Sequence, residues 1–578
     1  MPRRLWQPIL LWSVIALLGV ALLYPIALTV RGAFVVDVAA PADWRPRHLL
    51  DNLTLGHITN VFRDPVLVTG LWNSTKLAAT TTALSLAIAL PLAVLAARYR
   101  YPLKSLWNSV VLVPLILPPF VGALGARAIL GRAGALNALL GTEWDILGQA
   151  KFWGVVAVQA LSLYPIIYLN ATAALANLDP ALDEAAENLG AGPWRRLFRI
   201  TLPLIRPGIF AGATIVFIWS FTELGAPLMF DYYTLTPVQI FSRLKEVENS
   251  AEPYALTVVL LTAAVGMYIL GKFVFGRKGY AMYSKASRAA TEKPLPTAAG
   301  WVASGAFALV TFLAVLPHIA VVLTSISEPG SWYHTTLPTA FTGSHYLTAL
   351  TAPDSFGAIV NSIKYASAAM ALDVLLGILI AYLIVRTTAR GRGLLDALCM
   401  LPLAVPGLVL AFGYVAASQR WPMGKDGPLG DMILGADPNP VPLLVIAYAV
   451  RRLPYIVRST VAGLEQTAGE LEEAAVNLGA SRFTAVRRVI VPLIMANLIA
   501  GALLVFSFSM LEVSDSLILA QQSRSYPLTR AIFSFMERLG DGPSIASAMG
   551  VWGMALLTVT LVGASMMLGK KLGSIFRV

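Results

Sequence analysis

Glu223 and Glu512 lie in otherwise apolar stretches, 289 residues apart in a chain of 578. A charge at bilayer depth costs roughly 2.5 to 3.5 kcal/mol on insertion scales, so each needs a partner or a task. Ser220, Thr222, Ser514 and Asp515 flank them, and Lys76 and Lys364 recur at a similar depth in other apolar stretches. Two chemistries fit these residue types. In one, Lys76 with Glu223 and Lys364 with Glu512 form interhelical salt bridges that neutralise the buried charges. In the other, Ser220, Thr222, Glu223, Glu512, Ser514 and Asp515 line a solute path or its outer gate. Asp515 is then the asymmetric member, because Ala226 occupies the equivalent position.

Enzymatic chemistry finds no support. A phosphate-binding loop needs G-x-x-x-x-G-K-[ST], whose backbone N–H groups cradle phosphates and whose hydroxyl holds Mg²⁺. The nearest string, Gly563 to Gly569-Lys570-Lys571, has five intervening residues and Lys in place of the hydroxyl. There is no HExxH, the five histidines are dispersed, and Cys399 is the only cysteine. No catalytic residue, resident metal or cofactor is therefore expected in this chain.

The positioning elements are membrane helices. Apolar residues make up 57% of the chain and charged ones 13%, about half the usual share of soluble proteins. Mean hydropathy is +0.70. Twelve stretches meet the ~20-residue requirement of a bilayer: 8–29, 72–97, 106–130, 152–176, 207–230, 253–276, 299–325, 358–385, 394–417, 441–463, 496–519 and 546–569. The first follows Arg3 and Arg4 but is longer than a signal-peptide core, so it reads as an uncleaved anchor. The fold class is an all-α polytopic membrane protein.

A net charge of +12 would suggest nucleic acid in a soluble protein, but here it follows the enrichment of Lys and Arg in cytoplasmic loops, and no nucleic-acid partner is expected. With the N-terminus inside, the inner segments carry Arg98, Arg195, Arg196, Lys278, Arg386, Arg487, Arg488 and Lys570. The outer ones carry Asp231, Glu246, Glu248, Asp426, Asp431 and Asp437. Both termini then face the cytoplasm.

The chain is an internal repeat. Leu182-Asp183-Glu184-Ala185-Ala186-Glu187-Asn188-Leu189-Gly190-Ala191 recurs as Leu471-Glu472-Glu473-Ala474-Ala475-Val476-Asn477-Leu478-Gly479-Ala480 at an offset of 289 residues, half the chain length. Pro203-Leu204-Ile205 recurs as Pro492-Leu493-Ile494, and at an offset of 288 Asn73-Ser74 and Lys76 match Asn361-Ser362 and Lys364. Each half has six spans, so the copies share one orientation and a pathway belongs between them. The expected divisions are a first repeat 1–276, a basic linker 277–298 and a second repeat 299–578.

Each repeated loop, 182–206 and 471–495, reads as a helix, a sharp turn and a second helix. Leu182, Ala185, Ala186 and Leu189 fall at helical spacing on one stripe. Gly190 suits the left-handed residue that ends a helix, and Pro193 or Ser481 can start the next. Two identical surfaces call for two partners.

These loops resemble the "EAA" loops of inner-membrane permeases of binding-protein-dependent ABC importers, in which Glu-Ala-Ala is followed three residues later by Gly and then by an apolar-Pro segment. The resemblance implies a type I importer fold with twelve helices in two parallel six-helix repeats. It implies that Glu184, Ala185, Ala186, Gly190, Glu473, Ala474, Ala475 and Gly479 couple the bundle to two cytoplasmic ABC ATPase subunits that bind ATP and Mg²⁺. It also implies a periplasmic or lipid-anchored solute-binding protein and a bacterial inner membrane location. Fusion of two halves resembles the iron(III)-type branch, while related branches carry thiamine, polyamines or phosphonates. An ion-coupled secondary transporter is the competing reading of two parallel repeats, and a structural subunit without a pathway is a third.

Two further features are open at this level. Pro114, Pro118, Pro119, Pro402 and Pro406 interrupt the third and ninth stretches, either as fixed kinks or as hinges. Arg451 and Arg452 depart from the repeat, which has Ser162 and Leu163 there. Snorkelling from the outer end of the tenth stretch would accommodate them, and contact with an anionic solute is the other reading. Arg458 is expected to face protein.

Overall fold

The computed structural model describes residues 6–36, 53–275, 292–420, 423–424, 427–430, 432–433 and 437–568. Most of the expected linker, 277–291, lies outside the described residues, as do Asp426, Asp431, Lys278 and Lys570. The chain is helical, as its composition predicts. Along the sequence the principal elements are α1 (Trp6–Leu18), α2 (Tyr24–Phe34), α3 (Pro65–Arg98), β1 (Tyr99–Arg100), α4 (Pro119–Leu130), α5 (Lys151–Ala176), α6 (Pro180–Asn188), α7 (Leu202–Phe221) and α8 (Glu252–Phe275). After them come β2 (Lys293–Pro294), α9 (Thr297–Ile326), α10 (Pro353–Arg386), α11 (Arg392–Ala404), α12 (Gly407–Ser418), α13 (Val441–Glu465), α14 (Glu470–Asn477), α15 (Met495–Met510), α16 (Ser514–Leu519) and α17 (Gly542–Leu568).

Eight helices are long and apolar enough to cross a membrane, and three sharply bent pairs raise the number to eleven among the described residues. The one expected stretch not among them is the tenth, the 25-residue α13, whose three arginines keep it below that level of apolarity. Its charges must be satisfied by protein rather than lipid.

The third and ninth stretches are not continuous spans. α11 and α12 meet at 104°. The break falls at Val405-Pro406, where extended backbone leads into Gly407. Pro118 does the same before α4. A proline removes a donor and pushes the residue before it out of helical geometry, so a kink results at that point. The fifth and eleventh stretches are broken as well: α7 ends at Phe221 and the helix resumes at Gly225, while α15 ends at Met510 and α16 starts at Ser514. Glu223 and Glu512 therefore sit in backbone breaks and not on uninterrupted helices.

The compact units do not follow the expected sequence divisions. One unit gathers the described residues within 1–68, 239–261 and 343–568; the other gathers those within 69–238 and 262–342. In the first unit the leading span packs on the second repeat. Tyr414 Oη donates to Ala21 O at 2.9 Å, and a Cβ on Gly413 would come within 2.9 Å of Pro25. In the second unit α9 packs on α4 in the same way, so closely that a Cβ on Gly125 would lie 1.8 Å from Pro317 O. Only glycine permits that approach. Each repeat thus lends its first span to the partner repeat's broken span, which a linear division at residue 276 does not anticipate.

Candidate functional site

The two elbows have matching backbones. α6 closes with Gly190 N–H on Glu187 O and Ala191 N–H on Ala186 O, both at 2.9 Å. α14 closes with Gly479 N–H on Val476 O at 2.9 Å and Ala480 N–H on Ala475 O at 3.1 Å. This hydrogen-bond pair defines a Schellman cap, and it holds Gly190 at φ +78° and Gly479 at φ +93°. Both values are left-handed, the region that glycine enters without a Cβ penalty. Asp179 caps the start of α6, and past the second turn Ser481 caps Arg482–Ala485. A π turn follows in each copy, Leu197–Thr201 and Val486–Ile490.

What the elbows display also repeats. Leu189 and Leu478 are 88% and 90% exposed, and Trp194 and Phe483 are 72% and 75% exposed. Leu182 and Leu471 are exposed beside them. Large apolar groups left outside at equivalent positions of both copies mark an interaction surface. Glu184, Ala185, Glu473 and Ala474 are exposed, Ala475 is half-buried and Ala186 is buried. The expected stripe is thus split: Ala186 packs inward and the leucines point out. Each helix is tied to its own repeat, with Asp183 Oδ1 3.6 Å from Arg98 and Glu472 Oε1 accepting from Tyr382 Oη at 2.6 Å.

The intramembrane polar groups form one buried cluster in the second repeat. Arg451 Nη1 donates to Glu512 Oε1 at 2.8 Å and lies 3.4 Å from Asp515 Oδ2. Arg452 donates to Glu512 Oε2 and lies 5.6 Å above the Phe508 ring. Tyr448 Oη bonds Ser516 Oγ at 2.6 Å, and Thr529 Oγ1 donates to Glu512 O at 2.6 Å. Asp515 is fully buried, and its Oδ1 has no hydrogen-bond partner among the described residues. Asp373 on α10 is equally buried, with neither oxygen partnered among the described residues. Ser514 is half-buried at the start of α16.

Two expectations are corrected here. Lys364 is exposed, and Glu512 pairs with Arg451 and Arg452 in its place. The arginines do not snorkel: two acids within reach in the protein interior hold them there. Arg458, expected to face protein, is half exposed and reaches Asp396 Oδ1 with Nη1 at 3.4 Å. In the first repeat, Glu223 Oε1 accepts from the N–H groups of Gly225 and Ala226 at 3.1 and 3.3 Å. Lys76 Nζ lies 5.1 Å over Trp72. Ser220 donates to Gln159 Oε1, and Thr222 Oγ1 donates to Ile218 O at 2.8 Å.

The repeat offset makes the asymmetry explicit. Where the second repeat has Asp373, Tyr448, Arg451, Arg452 and Asp515, the first has Ser85, Gln159, Ser162, Leu163 and Ala226. Among the described residues, nearly all of the buried charge lies in one copy. Tyr448 and Asp373 escape sequence reading because neither belongs to a motif; a lone acid in an apolar run at 373 was the available signal.

The family described as "Binding-protein-dependent transport system inner membrane component" matches the chain twice, over residues 89–276 and 373–566. A "Putative ferric transport system permease protein FbpB 1" of Haemophilus influenzae is 25% identical over 488 residues, 82% of this chain and 72% of that protein. The "Ferric transport system permease protein FbpB" of Actinobacillus pleuropneumoniae is 25% identical over 556 residues, 93% of this chain and 75% of that protein. "Molybdenum transport system permease protein ModB" of Escherichia coli K12 is 35% identical over 164 residues, 28% of this chain and 71% of that protein.

Proposed function

Since this chain belongs to the family of binding-protein-dependent transport system inner membrane components, we propose that it is the fused, two-half permease of an ABC importer, driven by ATPase subunits that seat on its two elbows. The carrying observation is the pair of elbows, each presenting the same exposed Leu and aromatic side chains at equivalent positions. A shallow apolar knob on a Schellman-capped helix suits a groove in a partner, and two of them suit a symmetric motor. ATP and Mg²⁺ are then bound outside this chain. The elbows and both termini lie on the cytoplasmic side, and a solute-binding protein delivers cargo to the opposite face.

The cargo best supported is iron(III). Two relatives named for ferric transport match over 82% and 93% of the chain, whereas the molybdenum relative matches 28% of it. Inside the bundle, the Arg451–Glu512–Asp515 cluster is the path's gate: its ion pairs hold the break between α15 and α16 shut, and motor closure at the elbows shifts the population toward the state in which they part.

The test is uptake by proteoliposomes holding the permease, its ATPase and its binding protein. ATP-dependent accumulation of ferric iron is expected, without uptake of molybdate. Accumulation driven by a proton or sodium gradient in the absence of the ATPase would overturn the reading.

A further inference from the structure

Beyond the breaks at Glu223 and Glu512 the repeats keep a match that the offset of 289 hides. Ile240-Phe241-Ser242 recurs as Ile532-Phe533-Ser534, 292 residues later. The hydrogen bonds that seat this segment recur at the same offset. Asn73 Nδ2 donates to Thr234 O at 3.2 Å and Asn361 Nδ2 to Tyr526 O at 3.2 Å. Ser74 Oγ accepts from Thr236 N–H at 3.0 Å and Ser362 Oγ from Leu528 N–H at 2.7 Å. The short helices Thr236–Ser242 and Leu528–Met536 are therefore one element in two copies.

Phe241 and Phe533, equivalent in this register, touch each other. Their ring centroids are 6.3 Å apart, edge to face, a favoured aromatic arrangement. Equivalent residues that meet lie at the axis relating their two segments, where a pathway between repeats runs. The pair is an apolar constriction on that axis.

Arg530 supplies the charge there. Its guanidinium lies 5.1 Å from the Tyr526 ring, 5.6 Å from Phe533 and 5.9 Å from Phe241, within the range of cation–π attraction. Nε is buried without a hydrogen-bond partner, and no carboxylate pairs with the side chain among the described residues. Arg451 and Arg452 differ, because Glu512 neutralises them. Aromatic faces hold a cation in place without cancelling its charge. The first repeat has Val238 at this position, so the charge is single.

We propose that Arg530 is the charge-selecting residue of the solute path, seated at the Phe241–Phe533 constriction, and that cargo passes it as an anion. This rests on the reading of the chain as a solute path. A fixed guanidinium between low-dielectric walls concentrates anions and repels cations. Basic side chains at apolar constrictions are a means by which pores select. For ferric iron the consequence is a complex whose anionic ligands outweigh the charge of the metal. The aquated cation is turned back.

The experiment uses full-length permease in lipid nanodiscs. Cys399→Ser removes the native thiol, and Phe241→Cys or Phe533→Cys places one at the constriction. Each thiol is reacted with two methanethiosulfonate reagents of similar size, one bearing a sulfonate and one a trimethylammonium group. The anionic reagent is expected to react roughly tenfold faster relative to the cationic one, since a unit charge about 6 Å away acts on the two with opposite sign. Taking the ratio cancels any effect of the guanidinium on the thiol itself. Arg530→Gln should remove the preference, Arg530→Lys should keep it and Arg530→Glu should reverse it. In the assembled importer, Arg530→Glu should abolish ATP-driven uptake of ferric iron supplied as an anionic citrate complex, while Arg530→Lys retains it. A ratio that ignores these variants, thiols that neither reagent reaches, or undiminished uptake by Arg530→Glu would overturn the proposal. ATP-driven uptake with a ratio indifferent to Arg530 removes the charge filter alone. An Arg530-dependent ratio in a permease that ATP does not drive removes the importer reading alone.

Discussion

Gly407 leaves the space that the guanidinium of Arg451 fills: a Cβ on Gly407 would lie 1.8 Å from Arg451 Nη1. The kink at Pro406 and the arginine that departs from the repeat are therefore one device. The broken helix supplies a side-chain-free turn, and the arginine reaches past it to Glu512 and Asp515. Gly407→Ala should push Arg451 off Glu512 and leave buried charge uncompensated, an effect of about 3 to 5 kcal/mol when one partner of a buried pair is lost. A lowered unfolding midpoint of the purified permease and reduced uptake are the readouts. An unchanged midpoint would show that Arg451 has another place to go.

Glu512→Gln alone leaves two guanidinium groups facing one carboxylate. It should destabilise the permease by a similar amount, about 3 to 5 kcal/mol. Combining it with Arg452→Met should recover much of that loss, since an uncharged, well-packed replacement of a whole pair is tolerated. Lys364→Gln in the same background should recover none. Rescue by Lys364→Gln would contradict the pairing described above.

The elbow turns depend on two left-handed residues. Gly190→Val and Gly479→Val place a β-branched side chain where the backbone costs roughly 1 to 2 kcal/mol for a non-glycine residue. The turn should open, the Leu189 and Leu478 knobs should move, and the ATPase should no longer copurify, while the amount of inserted permease stays close to normal. Retention of the ATPase at full stoichiometry would count against the elbows as its seats.

Glu187 gives a pH dependence. Its hydrogen bonds to Lys293 and Arg196 hold its carboxyl below the ordinary glutamate value of 4.5. A depressed folded-state value means that these two bonds contribute fully above that ordinary value and weaken only as pH falls through the lower one. Exchange in α6 should therefore be unaffected from neutral pH down to about 5 and accelerate in more acid solution, after correction for intrinsic rates. Glu187→Gln should show no such step. A step of equal size in Glu187→Gln would assign it to another group.

Much of this was legible without coordinates. Apolar length located the helices but not their breaks, and the repeated Glu-Ala-Ala and Gly located both elbows down to the residue whose φ is positive. The elbows were legible because a Schellman cap is local chemistry, set by neighbours within six positions. The cluster was not, because Arg451, Arg452, Glu512 and Asp515 meet across α13 and the α15–α16 break. A lysine at equivalent depth on another helix was the plausible but wrong partner for Glu512. Depth along a helix says nothing about which way a side chain turns. The backbone breaks at Glu223 and Glu512 carry no proline of their own and left no mark in an apolar run.

The exchange of first spans sets an order of events. Ala21 waits for Tyr414, 393 residues later in the chain. At synthesis rates of about 5 to 20 residues per second, the leading helix spends roughly 20 to 80 s in lipid before its final neighbour exists. For the first part of that interval, until Tyr254 is made, Gly32, shaped to receive that ring, has an open notch facing the acyl chains. Chain fusion keeps the late-arriving neighbour on the same molecule, which makes the last step of assembly a local search where two separate polypeptides would have had to find one another in the membrane.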